Sequence, residues 1–149
     1  MITFREMEIY DVPAAFDVRT STKENALTLE ELEEDYELTP ETLASAMRST
    51  AKGWVCEADS KVVGFAMGDS ANAELTVIAV LPDYEGRCIG KRLLSKVENW
   101  LFSLGYDELW LVTTPDPELR AYNFYVKRGW VPTGEIIDED EKFLLSARQ

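Results

Sequence analysis

The stretch Val80-Leu-Pro-Asp-Tyr-Glu-Gly-Arg-Cys-Ile-Gly-Lys-Arg-Leu-Leu94 decides the fold. An apolar run over residues 75–81 stops at Pro82, a turn carrying Gly86 and Gly90 follows, and apolar residues then recur at helical spacing. Strand, glycine-bearing turn, helix is the arrangement that points unpaired backbone N–H groups at an anion. The first amides of a helix have no partner within it, and the helix dipole adds positive potential at the same end. Arg87, Lys91, Arg92 and Lys96 gather here, in a chain that is otherwise strongly acidic. A phosphate-bearing ligand at this turn is the expectation.

Working outward, residues 90–104 form the clearest helix pattern. Leu93, Leu94, Val97, Trp100 and Leu101 mark one face, and Gly105 ends it. Residues 108–113, with Leu109 and Leu111 between Trp110 and Val112, read as a strand buried on both faces. Residues 117–128 read as a helix closed by Gly129. Residues 130–137 and 142–146 read as final strands across an acidic turn, Asp138 to Glu141. Upstream, residues 73–81 make a long strand, preceded by a hairpin of residues 53–58 and 61–68 turning at Asp59-Ser60. A short strand at 2–8 opens the chain. A helix to about residue 23 follows, with Asp11 as its N-cap and Pro13 in its first turn. Thr28-Leu-Glu-Glu-Leu32 has the spacing of a capping box before a short acidic helix, and Thr39-Pro40 opens another helix to about residue 50. The order β-α-α-β-β-β-α-β-α-β-β predicts an α+β fold: a mixed, mostly antiparallel sheet of six to seven strands flanked by helices, entered through a right-handed crossover at the glycine turn.

At 149 residues the chain is read as one domain, 1–149. It contains no histidine, which excludes histidine-based triads and nearly all zinc chemistry, so acid–base work falls to carboxylates, Tyr, Lys, Cys or water. A net charge of −13 argues against nucleic acid or an anionic membrane surface as partner and suits a cationic one. Cys56 and Cys88 read as free thiols, and two cysteines without histidine make no metal site. No apolar stretch approaches membrane-spanning length and Met1-Ile-Thr-Phe-Arg lacks a signal-peptide pattern, so a cytoplasmic protein is expected.

These residues resemble the GNAT superfamily of acetyl-CoA-dependent N-acetyltransferases. The family's acyl-CoA motif, Gln/Arg-x-x-Gly-x-Gly/Ala after a strand, reads here as Glu85-Gly86-Arg87-Cys88-Ile89-Gly90. A second block, Ala-x-x-Phe-Tyr-x-x-x-Gly-Phe/Trp, reads as Ala121-Tyr-Asn-Phe124-Tyr125-Val-Lys-Arg-Gly129-Trp130. The hairpin from Trp54 to Phe65 is similar to the family's second and third strands. Three positions depart from the pattern: Glu85 for Gln or Arg, Cys88 for the first motif glycine, and Glu118 where Asn is frequent. Backbone donors survive any side chain, but Cys88 carries a Cβ, which matters if that residue needs a positive φ or close phosphate approach.

The resemblance implies acetyl transfer from acetyl-CoA, as co-substrate and without a metal, to a primary amine by direct attack in a ternary complex. It places Arg87, Cys88, Ile89, Gly90, Lys91 and Arg92 on the diphosphate through their amides. It also places the main chain of Ile78 and Val80 on the pantetheine arm, which requires a local break between that strand and residues 108–113. Tyr125 matches the tyrosine that protonates the departing thiolate. Glu74 matches a strand glutamate used as general base in one branch of the family; by strict alternation it shares a face with Thr76, Ile78 and Val80. A water held near Thr113 and Thr114 is the alternative base. The acidic segment holding Glu30, Glu31, Glu33, Glu34, Asp35 and Glu37, with the turn Asp138 to Glu141, matches the family's acceptor side. A cationic amine, small molecule or peptide, is the expected acceptor. A weakly active or inactive acyl-CoA-binding regulatory module is the alternative function. By analogy with relatives, exposed C-terminal strands leave a homodimer open.

Overall fold

The structure, a computed structural model, describes residues 1–21 and 39–147. The predicted helix beginning at Thr28 and the acidic residues from Glu30 to Glu37 lie outside them. In chain order the elements are β1 (Ile2–Glu6), α1 (Val12–Arg19), α2 (Pro40–Met47), β2 (Ala51–Ala58), β3 (Lys61–Asp69), β4 (Glu74–Val80), α3 (Ile89–Ser103), β5 (Glu108–Thr113), α4 (Arg120–Lys127), β6 (Val131–Ile137) and β7 (Asp140–Ser146). The seven strands form one sheet in the order β1-β2-β3-β4-β5-β7-β6. Every neighbouring pair is antiparallel except β4 and β5. This is the mixed, mostly antiparallel α+β sheet that the element order predicts. No helix among the described residues is long and apolar enough to cross a membrane.

Each face of the sheet buries its own core. On one, Ile89, Leu93, Leu94, Val97 and Leu101 of α3 form a buried stripe. They join Cys56, Val63, Leu75, Leu109, Leu111, Trp130 and Phe143. Each such side chain contributes about 1.5–3 kcal/mol by leaving water. Trp100, assigned to that stripe by spacing, is half-buried at its flank, edge-on to Trp54 with ring centroids 5.9 Å apart. On the other face Val12, Ala15, Phe16 and Val18 of α1 pack on Val55, Phe65, Met67 and Ala79.

Several boundaries shift for identifiable reasons. β1 ends at Glu6 because the chain turns through Ile9–Asp11 into α1. Asp11 occupies the N-cap position but does not cap with its side chain. Its carboxylate instead accepts two bonds from Arg5, each 2.8 Å, and a third from Glu8 N, tying β1 to α1. Thr39 does cap α2, its hydroxyl and that of Thr42 bonding each other's backbone N–H, with Pro40 in the first turn. β5 is buried on one face only. Leu109, Leu111 and Thr113 are covered, while Trp110 and Val112 on the other face are half-exposed, Val112 beyond the point where β4 parts from β5. The last turn is shorter than four acidic residues. Asp138 and Glu139 alone form it, at φ 49° and 75°, the left-handed pair that a two-residue hairpin needs. Asp140 and Glu141 belong to β7, and buried Glu141 accepts from Gly134 N at 2.9 Å.

A bulge in β4 overturns the strict alternation. Gly68 pairs with Leu75 and Met67 with Val77, so Thr76 is an extra residue. Its hydroxyl donates to Met67 O at 3.2 Å. Leu75, Ile78 and Val80 therefore face the α3 core, whereas Val77 and Ala79 face the α1 core. Glu74, next to Leu75 and paired with Asp69, lies on the α1 face rather than with Ile78 and Val80.

Candidate active site

β4 and β5 run parallel and meet at one register pair, Glu74 opposite Trp110. Trp110 N also donates to Ala73 O at 3.2 Å. Beyond that point β4 stays with β3 as far as Val80, and β5 stays with β7 as far as Thr113. The two strands splay, and one edge of β4 after Glu74 has no strand partner among the described residues. This is the break that the pantetheine reading requires. It opens a cleft of about 1290 Å³.

Eight of the ten residues singled out in the sequence line that cleft: Glu74, Ile78, Val80, Cys88, Ile89, Gly90, Lys91 and Tyr125. Two do not. The Arg87 guanidinium sits over the Tyr84 ring, 5.0 Å from its centroid, and that of Arg92 sits over Phe4 at 4.2 Å. Arg92 N also donates to Cys88 O at 3.1 Å, the first bond of α3. Its amide is thereby engaged, and the unpaired first-turn donors are those of Cys88, Ile89, Gly90 and Lys91. Cys88, exposed, takes φ +63° as the N-cap of α3. The cysteine thus occupies the left-handed conformation that glycine adopts freely.

Tyr125, on α4, is 8% exposed. It packs edge-on against Phe124, Trp130 and Phe143, with centroids 5.5, 6.2 and 6.2 Å away. Burial raises its phenol well above the usual value near 10, and the charge of Arg19 opposes that rise. The group is therefore a neutral donor throughout the working pH range.

At the opposite end of the open edge, burial raises the Glu74 carboxyl above its ordinary value. A bond from Asn72 Nδ2 at 3.4 Å works against the rise, and the like charge of Asp69 adds to it. Asp140 also lines the cleft, its carboxyl raised by burial and by Glu139 and Asp138. Thr113 and Thr114, the candidate water-holding pair, are on the β5 wall.

Sequence reasoning missed four charged residues of the lining, Arg19, Asp69, Arg120 and Arg128, and read Asp140 on the acceptor side as a turn residue where it opens β7. Asp69 depends on cross-strand register, and Arg19 on how α1 crosses the sheet. Neither leaves a local signal. Arg120 and Arg128 did carry one: they stand four residues either side of Phe124, so one helical stripe presents all three.

Known proteins resemble this chain along most of its length. The structure of PaiA N-acetyltransferase from Thermoplasma acidophilum in complex with coenzyme A aligns with a TM-score of 0.82 at 22% identity, covering 99% of both chains. The ribosomal-protein-S18-alanine N-acetyltransferase of Escherichia coli aligns at 0.72 and 21% identity, over 98% of this chain and 94% of that one. In sequence, an amino-acid acetyltransferase of Pseudomonas syringae pv. syringae is 27% identical over 133 residues, 87% of this chain. The chain spans only about a quarter of that relative's length, 27%. The model of the acetyltransferase (GNAT) family matches residues 14–130, well over half the chain. With the splayed β4–β5 pair and the donor-bearing turn into α3 already in place, this chain belongs to the GNAT acetyltransferase family.

Proposed function

We propose that the chain is an N-acetyltransferase that moves the acetyl group of acetyl-CoA to a primary amine in a ternary complex, and that residues 1–149 constitute its one domain. The observation that carries this reading is the splayed β4–β5 pair, with unpaired helix amides at one end and a desolvated carboxylate at the other. The residues fit the carrier. Four first-turn amides and Lys91 match a diphosphate. The buried Nε of Arg128 has no acceptor among the described residues, as expected where an anion is to be received. The thioester supplies an acetyl group activated toward an amine.

The chain's own groups do the rest. Cys88, Ile89, Gly90 and Lys91 direct N–H groups at the diphosphate. The open edge of β4 at Ile78 and Val80 offers main-chain partners to the amide-bearing arm, holding it along the strand. Glu74 accepts the proton that the ammonium must lose before it can attack. Its raised affinity for protons narrows the gap to an amine. Buried Tyr125 donates to the departing sulfur; a thiolate leaves readily, so modest help suffices. A water held by Thr113 and Thr114 is the competing base.

The acceptor is proposed to be cationic, a small molecule or peptide. Asp69, Glu74 and Asp140 put three carboxylates on the cleft, and like charges crowd two of them, Asp69 beside Glu74 and Glu139 with Asp138 beside Asp140. Relatives act on different acceptors. The Escherichia coli enzyme is named for the alanine of a ribosomal protein. A Neisseria gonorrhoeae N-acetylglutamate synthase with coenzyme A and N-acetyl-glutamate bound aligns at a TM-score of 0.73, 16% identity, over 36% of its length. We place the protein in the cytoplasm and expect any homodimer to use β6, an edge strand with Val131 and Ile136 exposed.

Titration calorimetry with acetyl-CoA and with free CoA, then CoA release against spermidine, a lysine amide, an N-terminal-alanine peptide and glutamate, tests the reading. Heat with both carriers and release fastest with the polycation, falling as salt rises, is the expected result. No heat with either carrier removes the enzymatic reading. Heat without release for any amine favours the regulatory module, and preference for glutamate overturns the cationic acceptor.

A further inference from the structure

Phe124 stands between two positive features of the cleft. Its ring edge lies 3.4 Å from where a Cβ on Gly90 would be, so it covers the amide turn. Arg128, the C-cap residue of α4 four positions on, places its guanidinium over the same ring, 4.1 Å from the centroid. Nη1 of Arg128 donates to Phe124 O at 3.2 Å, which locks the plane of the fork. The opposite edge, Nε with Nη2, is the edge that receives a carboxylate or phosphate side-on. Nε is buried there with no acceptor among the described residues, and Arg128 lines the cleft. A shielded guanidinium N–H left unmatched is rare in folded proteins and points to an anion that arrives with a ligand.

In the carrier reading above the diphosphate is assigned to the α3 amides on the near side of Phe124, which leaves Arg128 for a different anion. The carrier has one further anion, the 3′-phosphomonoester of its ribose. A ribose separates that phosphate from the diphosphate, and here one aromatic ring separates the second cation from the amide turn. Arg120, on the same stripe and also lining the cleft, adds charge to that wall. We propose that Arg128, held over the Phe124 ring, is the seat of the 3′-phosphate and makes this protein distinguish coenzyme A from its dephospho form. The inference rests on the carrier reading above and adds a specificity determinant to it. Phe124 acts as the platform: it fixes the plane of the fork before the ligand arrives, so little side-chain freedom is lost on binding.

The test is titration calorimetry on the full chain with coenzyme A and 3′-dephospho-coenzyme A. Wild type is expected to bind coenzyme A at least tenfold more tightly. Arg128→Gln is expected to reduce coenzyme A affinity to the dephospho level while leaving dephospho affinity unchanged, and Arg128→Lys to fall between. The wild-type comparison requires no variant, so a misfolded Arg128→Gln protein does not remove the test. Equal wild-type affinity for the two carriers overturns the proposal while the carrier reading stands. The same holds for an Arg128→Gln loss that is equal for both. Absence of binding to either carrier overturns both readings together.

Discussion

Replacing Glu74 by Gln separates a catalytic role from a structural one, because the two roles move stability in opposite directions. Glu74 and Asp69 are directly paired across β3 and β4 on one face of the sheet. Like charges so placed oppose folding, and pairs at that spacing are worth roughly 0.2–1 kcal/mol. Burial adds to the destabilisation, as the raised Glu74 pKa records. Glutamine keeps the shape and can still bond Asn72, but removes the charge. At neutral pH Glu74→Gln should therefore raise the stability by about 0.2–1 kcal/mol, which is about 1–4 °C in Tm for a chain of this size. Turnover should fall by roughly 10²–10⁴-fold if the carboxylate is the base, since proton removal then reverts to water. The pH dependence carries a further sign. The folded protein holds the Glu74 proton more tightly than the unfolded chain, so wild-type stability declines as pH rises from the ordinary carboxylate range through the raised value. The advantage of glutamine is full above that window and disappears below the ordinary value, where Glu74 is neutral in both states. Scanning fluorimetry from acid to neutral pH, with CoA release on the same preparations, measures both. A variant that melts lower and still turns over at the wild-type rate refutes the assignment and leaves Glu74 as a structural residue.

Other perturbations follow from the same geometry. Tyr125→Phe should lower kcat by about 10²-fold, the low end for a general acid because a thiolate leaves easily, with the carrier's affinity within twofold of wild type; unchanged kcat removes Tyr125 from the mechanism. The wild-type rate profile should show no limb from this phenol below pH 10, since burial keeps it protonated. Cys88→Gly removes a Cβ from a residue at φ +63°. Relief of roughly 1–2 kcal/mol, less the entropy glycine gains when unfolded, should raise Tm by about 1–4 °C, and a lower Tm contradicts the left-handed N-cap. Gly68→Ala would bring a Cβ to 2.8 Å from Val97 Cγ1 and 3.1 Å from Glu74 O. It should cost about 1–3 kcal/mol, whereas Gly90→Ala, meeting Phe124 at 3.4 Å and Val80 at 3.9 Å, both ordinary contacts, should leave Tm nearly unchanged. Equal melting of the two would mean that α3 does not press on β3 as described.

Local chemistry made much of this protein legible. Pro82, Gly86 and the spacing of Leu93, Leu94, Val97 and Leu101 act within one turn or one helix, so strand, turn and helix could be read in order. The two family-like blocks then placed Tyr125 and the first-turn donors on the same cleft. One of the six amides that the resemblance puts on the diphosphate is engaged within the helix. Arg92 N is taken by Cys88 O, because the fourth amide after the N-cap is the first to find a carbonyl behind it.

What sequence spacing could not convey was anything that depends on pairing between distant strands. The extra residue at Thr76 exists only relative to Met67 and Gly68 of β3. It moves Glu74 from the face of Ile78 to the face of α1. The same register sets Asp69 against Glu74, and the separation of β4 from β5 leaves Val112 only half covered. Asp138 and Glu139 forming the whole turn, with Glu141 turned inward to Gly134, depends likewise on β6 meeting β7. The chain by itself determined which elements form and which chemistry they can carry, because propensity, capping and turn residues act over a few bonds. The tertiary structure alone decided which charges share the cleft, because register is a contest between whole strands and one inserted residue reverses every side chain beyond it.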